Sequence, residues 1–330
     1  MKIKFKHIRL GLIAVLALIF IFSAVQLVRI LAGYRQGANE YNEAAGLAGL
    51  PDLSGLPTLT PGGQPNAQDP SSTDIPGDTM PGLTPAPYVD PYADALRDMD
   101  FTALREVNSD VLGWILIPDT IVSYPFLQGS DNNYYLDHTW QKTYNSVGAI
   151  FMEQANHADF SDFNTILYGH RMNNNSMFGV LHRYTDQSYW AAHPYVYITD
   201  DSGSRRYDIF AAYEVVTTGA TYRLGFSNDT DKQDFLDFCL AQSVIDTGVT
   251  PSVYDSILTL STCTGSGHET RWVVQAACRN DPPVQEEDPP VQTQDPGTSE
   301  PPEPETSGQE SEAPAREPDS PDEESPAEEP

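Results

Sequence analysis

From Leu10 to Val28 the chain is apolar for about nineteen residues, interrupted only by Ser23 and Gln26. A helix needs ~20 such residues to cross a bilayer core, so one end of this chain is committed to a membrane. A cleaved signal peptide has a shorter apolar stretch of about 7–15 residues. The run therefore reads as an uncleaved anchor, although Phe22-Ser23-Ala24 has the look of a cleavage site. Lys2, Lys4, Lys6 and Arg9 precede it, with His7 among them, and no acid occurs before Glu40. Arg29 and Arg35 follow more sparsely. By the positive-inside rule, residues 1–9 are expected in the cytoplasm, 10–31 in the plasma membrane as a single pass, and everything after Leu31 outside, a type II topology.

Composition then confines the fold. The stretch from Gly46 to Pro87 is rich in Pro, Gly, Ser, Thr and Asp and nearly free of aromatics, so it cannot bury enough apolar surface to offset ordering entropy. Residues 32–91 are expected to be a flexible extracellular linker. Residues 281–330 are Pro, Glu, Asp, Ser and Thr with Arg316 as their only base, and read as a disordered acidic tail. That tail carries about half of the formal net charge of −29, which therefore describes the tail more than any folded part. One domain remains, residues 92–280, large enough for a sizeable core.

Within it, Tyr92 to Asn108 has the apolar stripe of an amphipathic helix, in Leu96, Met99, Leu104 and Val107. Short β-type runs follow: Gly113 to Ile117, Ile121 to Phe126, Gly148 to Met152, Thr165 to Tyr168 and Tyr195 to Thr199. Three more are Arg206 to Thr217, Ser256 to Thr262 and Arg271 to Ala277. Helical insertions are expected at Met177 to Tyr184 and Asp231 to Val244. Many short strands punctuated by Gly, Pro and Asn predict a mainly β domain with inserted helices, closed as a barrel of mixed connection.

Three cysteines outside the cytoplasm make no disulfide framework, since at least one stays unpaired. Cys239 lies beside Phe235 and Phe238 in a helix-like segment and reads as a small buried hydrophobe, and Cys278 closes the last strand. Cys263 differs. It ends the strand Thr259-Leu260-Ser261-Thr262 and is followed by Thr264, Gly265, Ser266 and Gly267, small polar neighbours that leave a thiol accessible. A nucleophilic thiol needs a nearby base or positive charge. Arg271, at the head of the next strand, supplies a guanidinium that a tight reversal would bring alongside. His170 follows Tyr168-Gly169 at another strand end, and His268 lies nearer to Cys263 in sequence; residue pattern favours His170 but leaves both open. A thiol, an imidazole and a guanidinium at strand ends are the inventory for covalent acyl transfer. The segment Gln275-Ala276-Ala277-Cys278-Arg279 has a caspase-like look but an extra alanine and no following glycine.

No Gly-rich phosphate loop, His-x-x-x-His pair or Cys-x-x-Cys is present, and no carboxylate cluster argues for calcium, so neither cofactor nor metal is expected. No basic patch with interleaved aromatics points to nucleic acid.

At these residues the chain resembles the sortases, membrane-anchored cysteine transpeptidases of Gram-positive surfaces, and among them class B. The resemblance is carried in order by Gly113-Trp114-Ile115, Ile117-Pro118, Tyr124-Pro125, Leu127-Gln128-Gly129, Tyr135-Leu136 and Gly148-Ala149-Ile150-Phe151-Met152 with Asn156. It continues through Asn164-Thr165-Ile166-Leu167-Tyr168-Gly169-His170, Met177-Phe178 and Thr259-Leu260-Ser261-Thr262-Cys263 with Arg271. It implies a closed eight-stranded barrel, a catalytic set of His170, Cys263 and Arg271, and a substrate groove at Asn132, Leu136, Tyr168, Tyr222 and Ser261. It implies cleavage of an LPxTG- or NPxTN-like C-terminal sorting signal after its threonine. The freed acyl group would pass to an amine of a peptidoglycan precursor or a pilin. Exported proteins bearing such a signal are thus the expected partners.

Two departures stand out: Thr264 takes a place where the family often has an acid, and the acidic tail has no counterpart. Asp90-Pro91-Tyr92 resembles the lid of pilus-building sortases and is read as ordinary linker. The competing readings are a cell-wall cysteine peptidase or L,D-transpeptidase, and a non-enzymatic surface protein. Wall peptidases usually place the cysteine before the histidine, and L,D-transpeptidases carry Gly-Cys-x-Arg; this chain does neither.

Overall fold

The computed structural model describes residues 2–62, 89–263 and 269–279. Three helices come first: α1 (Lys2–Leu47), α2 (Pro91–Leu96) and α3 (Thr102–Val107). Four strands follow: β1 (Val111–Leu116), β2 (Ser123–Leu127), β3 (Ile150–Met152) and β4 (Asn164–Tyr168). Then come α4 (Gln187–Ala192), β5 (Tyr195–Asp200), β6 (Gly203–Val216), α5 (Asp229–Gln242), β7 (Ser256–Cys263) and β8 (Thr270–Cys278). 3-10 segments lie at Tyr134–Leu136, Gly179–Thr185 and Ala220–Tyr222. The insertion expected from Met177 is thus a 3-10 segment rather than an α-helix.

The eight strands close into a barrel in the order β1-β2-β3-β4-β7-β8-β6-β5, with β5 returning to β1. Closure leaves no unpaired edge. Two contacts, β2 with β3 and β4 with β7, are parallel and the others antiparallel. A parallel neighbour needs a crossover, and the one from β4 to β7 carries α4, β5, β6 and α5.

Strand β8 shows why its sequence is almost continuously apolar. Trp272, Val274 and Ala276 join the main core, whereas Val273 and Ala277 belong to a second core built with Phe235, Leu236 and Cys239 of α5. Side chains alternate across a strand, so both faces are covered, one by the barrel and one by a helix.

On the α5 side that second core holds a polar chain with no loose ends. Tyr213 donates from its hydroxyl to Gln275 Oε1 at 2.9 Å and lies 2.9 Å from Thr221 Oγ1. Gln275 Nε2 donates to Thr259 Oγ1 at 3.0 Å, and Thr259 donates to Asn164 Oδ1 at 2.7 Å. Asn164 Nδ2 donates to the carbonyls of Thr221 and Arg223. Asn164, Thr221, Thr259 and Gln275 are completely buried. The chain ties β4, β6, β7 and β8 to the turn at 220–223.

Two expectations give way to something more ordered. The helix expected from Tyr92 to Asn108 is two helices, α2 and α3. Asp90 caps α2 by accepting from the backbone N–H of Tyr92 and Ala93, and Asp100 accepts the N–H of Thr102 to begin α3. These side chains compete with the backbone for its hydrogen bonds and so punctuate a helix. The start of the segment expected to be a flexible linker is also ordered. Helix α1 runs on to Leu47 without a break, burying Tyr41 and Ala44 in the main core. Beyond it Leu50, Leu53 and Leu56 pack against the same core, Leu59 is buried, and Tyr195 donates its hydroxyl to Thr60 O at 2.9 Å. The leucines recur every third residue from Leu47 to Leu59, an apolar signal that bulk composition hides. Residues 63–88 and 280–330, with the rest of the linker and the acidic tail, lie outside the described residues. Between Leu10 and Leu31 the large apolar side chains of α1 are exposed, as in a helix that can cross a membrane.

The polar chain predicts a stability effect. Gln275→Ala removes an acceptor of the Tyr213 hydroxyl and the donor to Thr259 Oγ1 and leaves a cavity in the second core, at an expected loss of about 2–4 kcal/mol. Urea unfolding followed by tryptophan fluorescence measures it, and a midpoint equal to that of the parent chain would show the network to be energetically idle.

Candidate active site

Three adjacent strands, β4, β7 and β8, bring the candidate residues to one end of the barrel. In the parallel pair Tyr168 lies opposite Ser261, and Gly169 N donates to Ser261 O at 3.1 Å. His170 is two residues beyond Tyr168 and Cys263 two beyond Ser261, so the two backbones are level. In the antiparallel pair Cys263 lies directly opposite Arg271. Register therefore sets Cys263 and Arg271 directly opposite each other and brings His170, just past the end of β4, to the same end of the barrel.

Residues 264–268, with Thr264 and His268, lie outside the described residues. Cys239 is buried in the second core and Cys278 is half-buried at the far end of β8, opposite Ser256, well away from this end.

A cleft of about 260 Å³ opens beside these strand ends. Its walls include His170, Arg271, Asn132, Leu136, Tyr168 and Ser261. Tyr222 joins from the turn at 220–222: its hydroxyl is 2.9 Å from Ser261 Oγ, and its ring stacks on Tyr168 at 6.5 Å between centroids. Four of the five residues assigned to the groove thus line one opening, and Tyr222 adjoins it through Ser261 and Tyr168. The buried chain through Asn164 and Thr221 holds the Tyr222 turn in place.

His170 is half-exposed. Its Nε2 donates to the carbonyl of Leu136 at 2.5 Å, which fixes the ring plane and leaves Nδ1 to accept when the imidazole is neutral. Gly148 lies against the same ring with φ of +63°, and a Cβ on it would fall 2.9 Å from His170 Cδ2 and 2.8 Å from Leu136 O. Arg271 is half-buried, with Nη1 donating to Thr270 O at 3.0 Å.

Glu153 is the residue that sequence reasoning missed. It follows β3 directly, and its two carboxylate oxygens accept from Asn132 Nδ2 at 2.7 and 2.8 Å. One of them also accepts from the Tyr168 hydroxyl at 2.9 Å. Burial and the Glu153 charge push the Tyr168 phenol far above its ordinary range, while Arg271 pulls it the other way. Tyr168 therefore stays protonated and a donor, and the carboxylate orders one wall of the cleft. An acid directly after an apolar strand reads as ordinary surface, so only the fold gives it a place.

The comparisons with known proteins converge on one family. The Sortase domain family matches residues 115–279, from within β1 to just past β8. The chain is 38% identical over 170 residues to sortase B of Staphylococcus aureus (strain NCTC 8325 / PS 47), covering 52% of this chain and 70% of that protein. It is 41% identical over 172 residues to sortase B of Listeria monocytogenes serovar 1/2a (strain ATCC BAA-679 / EGD-e), covering 52% and 67%. Among solved structures it is similar to a Staphylococcus aureus sortase B–substrate complex, with a TM-score of 0.51 and 38% identity, over 54% of this chain and 83% of that one.

Gly148 offers a test of how tightly the His170 wall is packed. Gly148→Ala has to pay both a left-handed backbone, about 1–2 kcal/mol, and a methyl against the Tyr135 and Leu136 carbonyls and the imidazole they frame. Gly49→Ala incurs the backbone cost alone, since φ there is +64° and nothing lies within 4 Å. Gly148→Ala is expected to destabilise the chain more than Gly49→Ala, and to shift the His170 imidazole signals in an NMR spectrum. Equal losses and unmoved signals would mean the wall yields.

Proposed function

The chain belongs to the sortase family, and from that premise we propose that it is a membrane-anchored class B enzyme that cleaves a C-terminal sorting signal after threonine and joins the new end to an amine. The observation that carries this reading is the clustering of His170, two residues past the end of β4, with Cys263 of β7 and Arg271 of β8 at one end of three neighbouring strands, beside an open cleft.

In the proposed reaction the Cys263 thiolate attacks the threonine carbonyl carbon of an LPxTG- or NPxTN-like signal. The carbonyl π electrons move to oxygen, and the Arg271 guanidinium balances that charge; a donor in this role is typically worth about 3 kcal/mol. The C–N bond breaks as the His170 imidazolium protonates the departing nitrogen, leaving a thioester and a neutral imidazole. An incoming amine then attacks the thioester, His170 takes its proton, and the thiolate leaves. The protein acquires a new amide bond without an external energy source. The acceptor is an amine of a peptidoglycan precursor or of a pilin. Asn132, Leu136, Tyr168, Tyr222 and Ser261 would line the signal's path, with Glu153 holding Asn132 and Tyr168 to shape. Helix α1 would place the domain on the outer face of the plasma membrane, where exported substrates and wall precursors are both at hand.

Activity is tested on the full chain in detergent micelles, with fluorogenic LPxTG- and NPxTN-like peptides and an added amine. Cys263→Ala is expected to abolish cleavage. Arg271→Lys, which loses the planar fork of donors, is expected to cost about 10²–10³ in kcat. Mass spectrometry should find the peptide cut after threonine and joined to the amine; cleavage indifferent to Cys263 would sink the reading.

Thiol chemistry gives a second test. Burial pushes the Cys239 thiol up to about 11 and also raises Cys278, so at pH 7 only about one Cys239 in ten thousand is a thiolate. Iodoacetamide at neutral pH is expected to label Cys263 much faster than either. Equal labelling of the three would remove the case for an activated nucleophile.

A further inference from the structure

The wall that holds His170 is itself held by the anchor helix. His170 Nε2 bonds the carbonyl of Leu136, and its ring rests against Gly148. Those two residues sit in a loop cross-tied by Ala149 N to Tyr135 O at 2.9 Å and Asn145 N to Asp137 O at 2.8 Å. Helix α1 clasps the same loop. Asn145 Nδ2 donates to Gly33 O at 3.0 Å and Trp140 Nε1 to Glu40 O at 2.8 Å. Thr139 Oγ1 donates to the Glu40 carboxylate, and the Tyr41 hydroxyl donates to Gly148 O at 2.6 Å. Glu40, Tyr41, Thr139 and Trp140 are all buried.

Tyr41 reaches both segments that frame His170. Its hydroxyl holds the carbonyl of Gly148, the residue packed on the imidazole. Its ring meets Tyr124 edge-on at 5.2 Å, and Tyr124 Oη accepts from Met177 N at 3.1 Å. The next residue, Phe178, donates its N–H to His170 O at 3.0 Å. One side chain from the juxtamembrane helix thus touches the loop before His170 and, through Tyr124, the turn after it. Burial first, then Tyr124 and Glu40, push the Tyr41 phenol well above its ordinary value, so it remains a donor across the working pH range.

We propose that Tyr41 is a positioning residue for His170: by fixing the Gly148 carbonyl and the Tyr124 ring it sets the surface against which the imidazole is oriented, and the membrane-anchor helix is thereby part of the active-site scaffold. This rests on the reading of His170 as the acid–base of the sortase reaction. A helix that only adds stability would change the melting temperature and nothing else. A helix that orients the imidazole changes what each folded molecule can do.

The test uses the full chain in lipid nanodiscs. Tyr41→Phe keeps the ring on Tyr124 and removes only the bond to Gly148. Gln141→Ala is the control, since Gln141 bonds Glu43 of α1 at the exposed rim, 3.1 Å away, and touches neither Gly148 nor Tyr124. Two readouts are taken: kcat and KM on a sorting-signal peptide, and the His170 imidazole titration by NMR in histidine-labelled chain, assigned with His170→Gln. Tyr41→Phe is expected to lower kcat about tenfold with KM changed less than twofold, and to move the His170 titration midpoint. Gln141→Ala is expected to change neither. Tyr41→Phe that retained the parent kcat and the parent titration, whatever its melting temperature, would overturn the proposal. The titration needs no turnover, so a chain inactive on every peptide would refute the sortase chemistry while the NMR readout still decided whether Tyr41 orients His170.

Discussion

The parallel pairing of β4 with β7 is the constraint on which the rest of this structure depends. Parallel neighbours point the same way, so their C-terminal ends come out on the same side of the barrel, and whatever follows them is brought together. Here His170 lies two residues past the end of β4 and Cys263 is the last residue of β7, and β8 enters from the same side with Arg271. A one-residue slip in that pairing would break the level and turn every β7 side chain to the opposite face. The site therefore needs the register held more firmly than the adjoining loops.

Asn164 does much of that holding from the other end of the strand. Its backbone pairs with Ile257, its side-chain oxygen accepts from Thr259, and its amide nitrogen reaches the turn at 220–223. Asn156 adds a clamp, donating to Asn164 O at 2.9 Å and accepting from Ile166 N at 2.9 Å. Each of these buried groups would be costly unpaired, so a slipped register, which would break several at once, is disfavoured by far more than one bond. The same chain fixes the turn bearing Tyr222, so the strand register and the cleft wall are set by one network.

Much of this was legible in sequence because it depends on periodicity and on strand ends. The eight β-type runs fall on the eight strands, and the mixed-connection barrel follows from their punctuation. Asn132, Leu136, Tyr168, Tyr222 and Ser261 were reached through the family resemblance; in the fold four of them line one cleft and Tyr222 bonds Ser261 beside it, although they come from four separate segments. Glu153 was not legible, because an acid after a strand has no signature until its partners, Asn132 and Tyr168, are known to face it. The order in residues 32–62 was missed for a different reason. Residues 32–46 were grouped with the Pro- and Gly-rich stretch that follows although they hold no proline, and in 47–62 that composition dilutes leucines whose spacing of three is enough to line one side of a segment lying on a core.

That ordered segment changes how the domain stands at its membrane. A flexible linker would give the cleft a wide range of heights and orientations, with reach growing as the square root of its length. A continuous helix does the opposite: Tyr41 lies ten residues past Leu31, about 15 Å along the axis, and is locked into the core. In the proposed topology, with the apolar stretch spanning the bilayer, the barrel would be carried as an extension of the anchor, and its cleft would keep a nearly constant distance from the outer face. For an enzyme whose proposed partners both arrive at that face, a fixed cleft meets two substrates more often than one that wanders, because encounter needs both to share the same narrow layer. In that topology the length of α1 beyond the membrane would belong to the site's geometry as much as any residue lining the cleft.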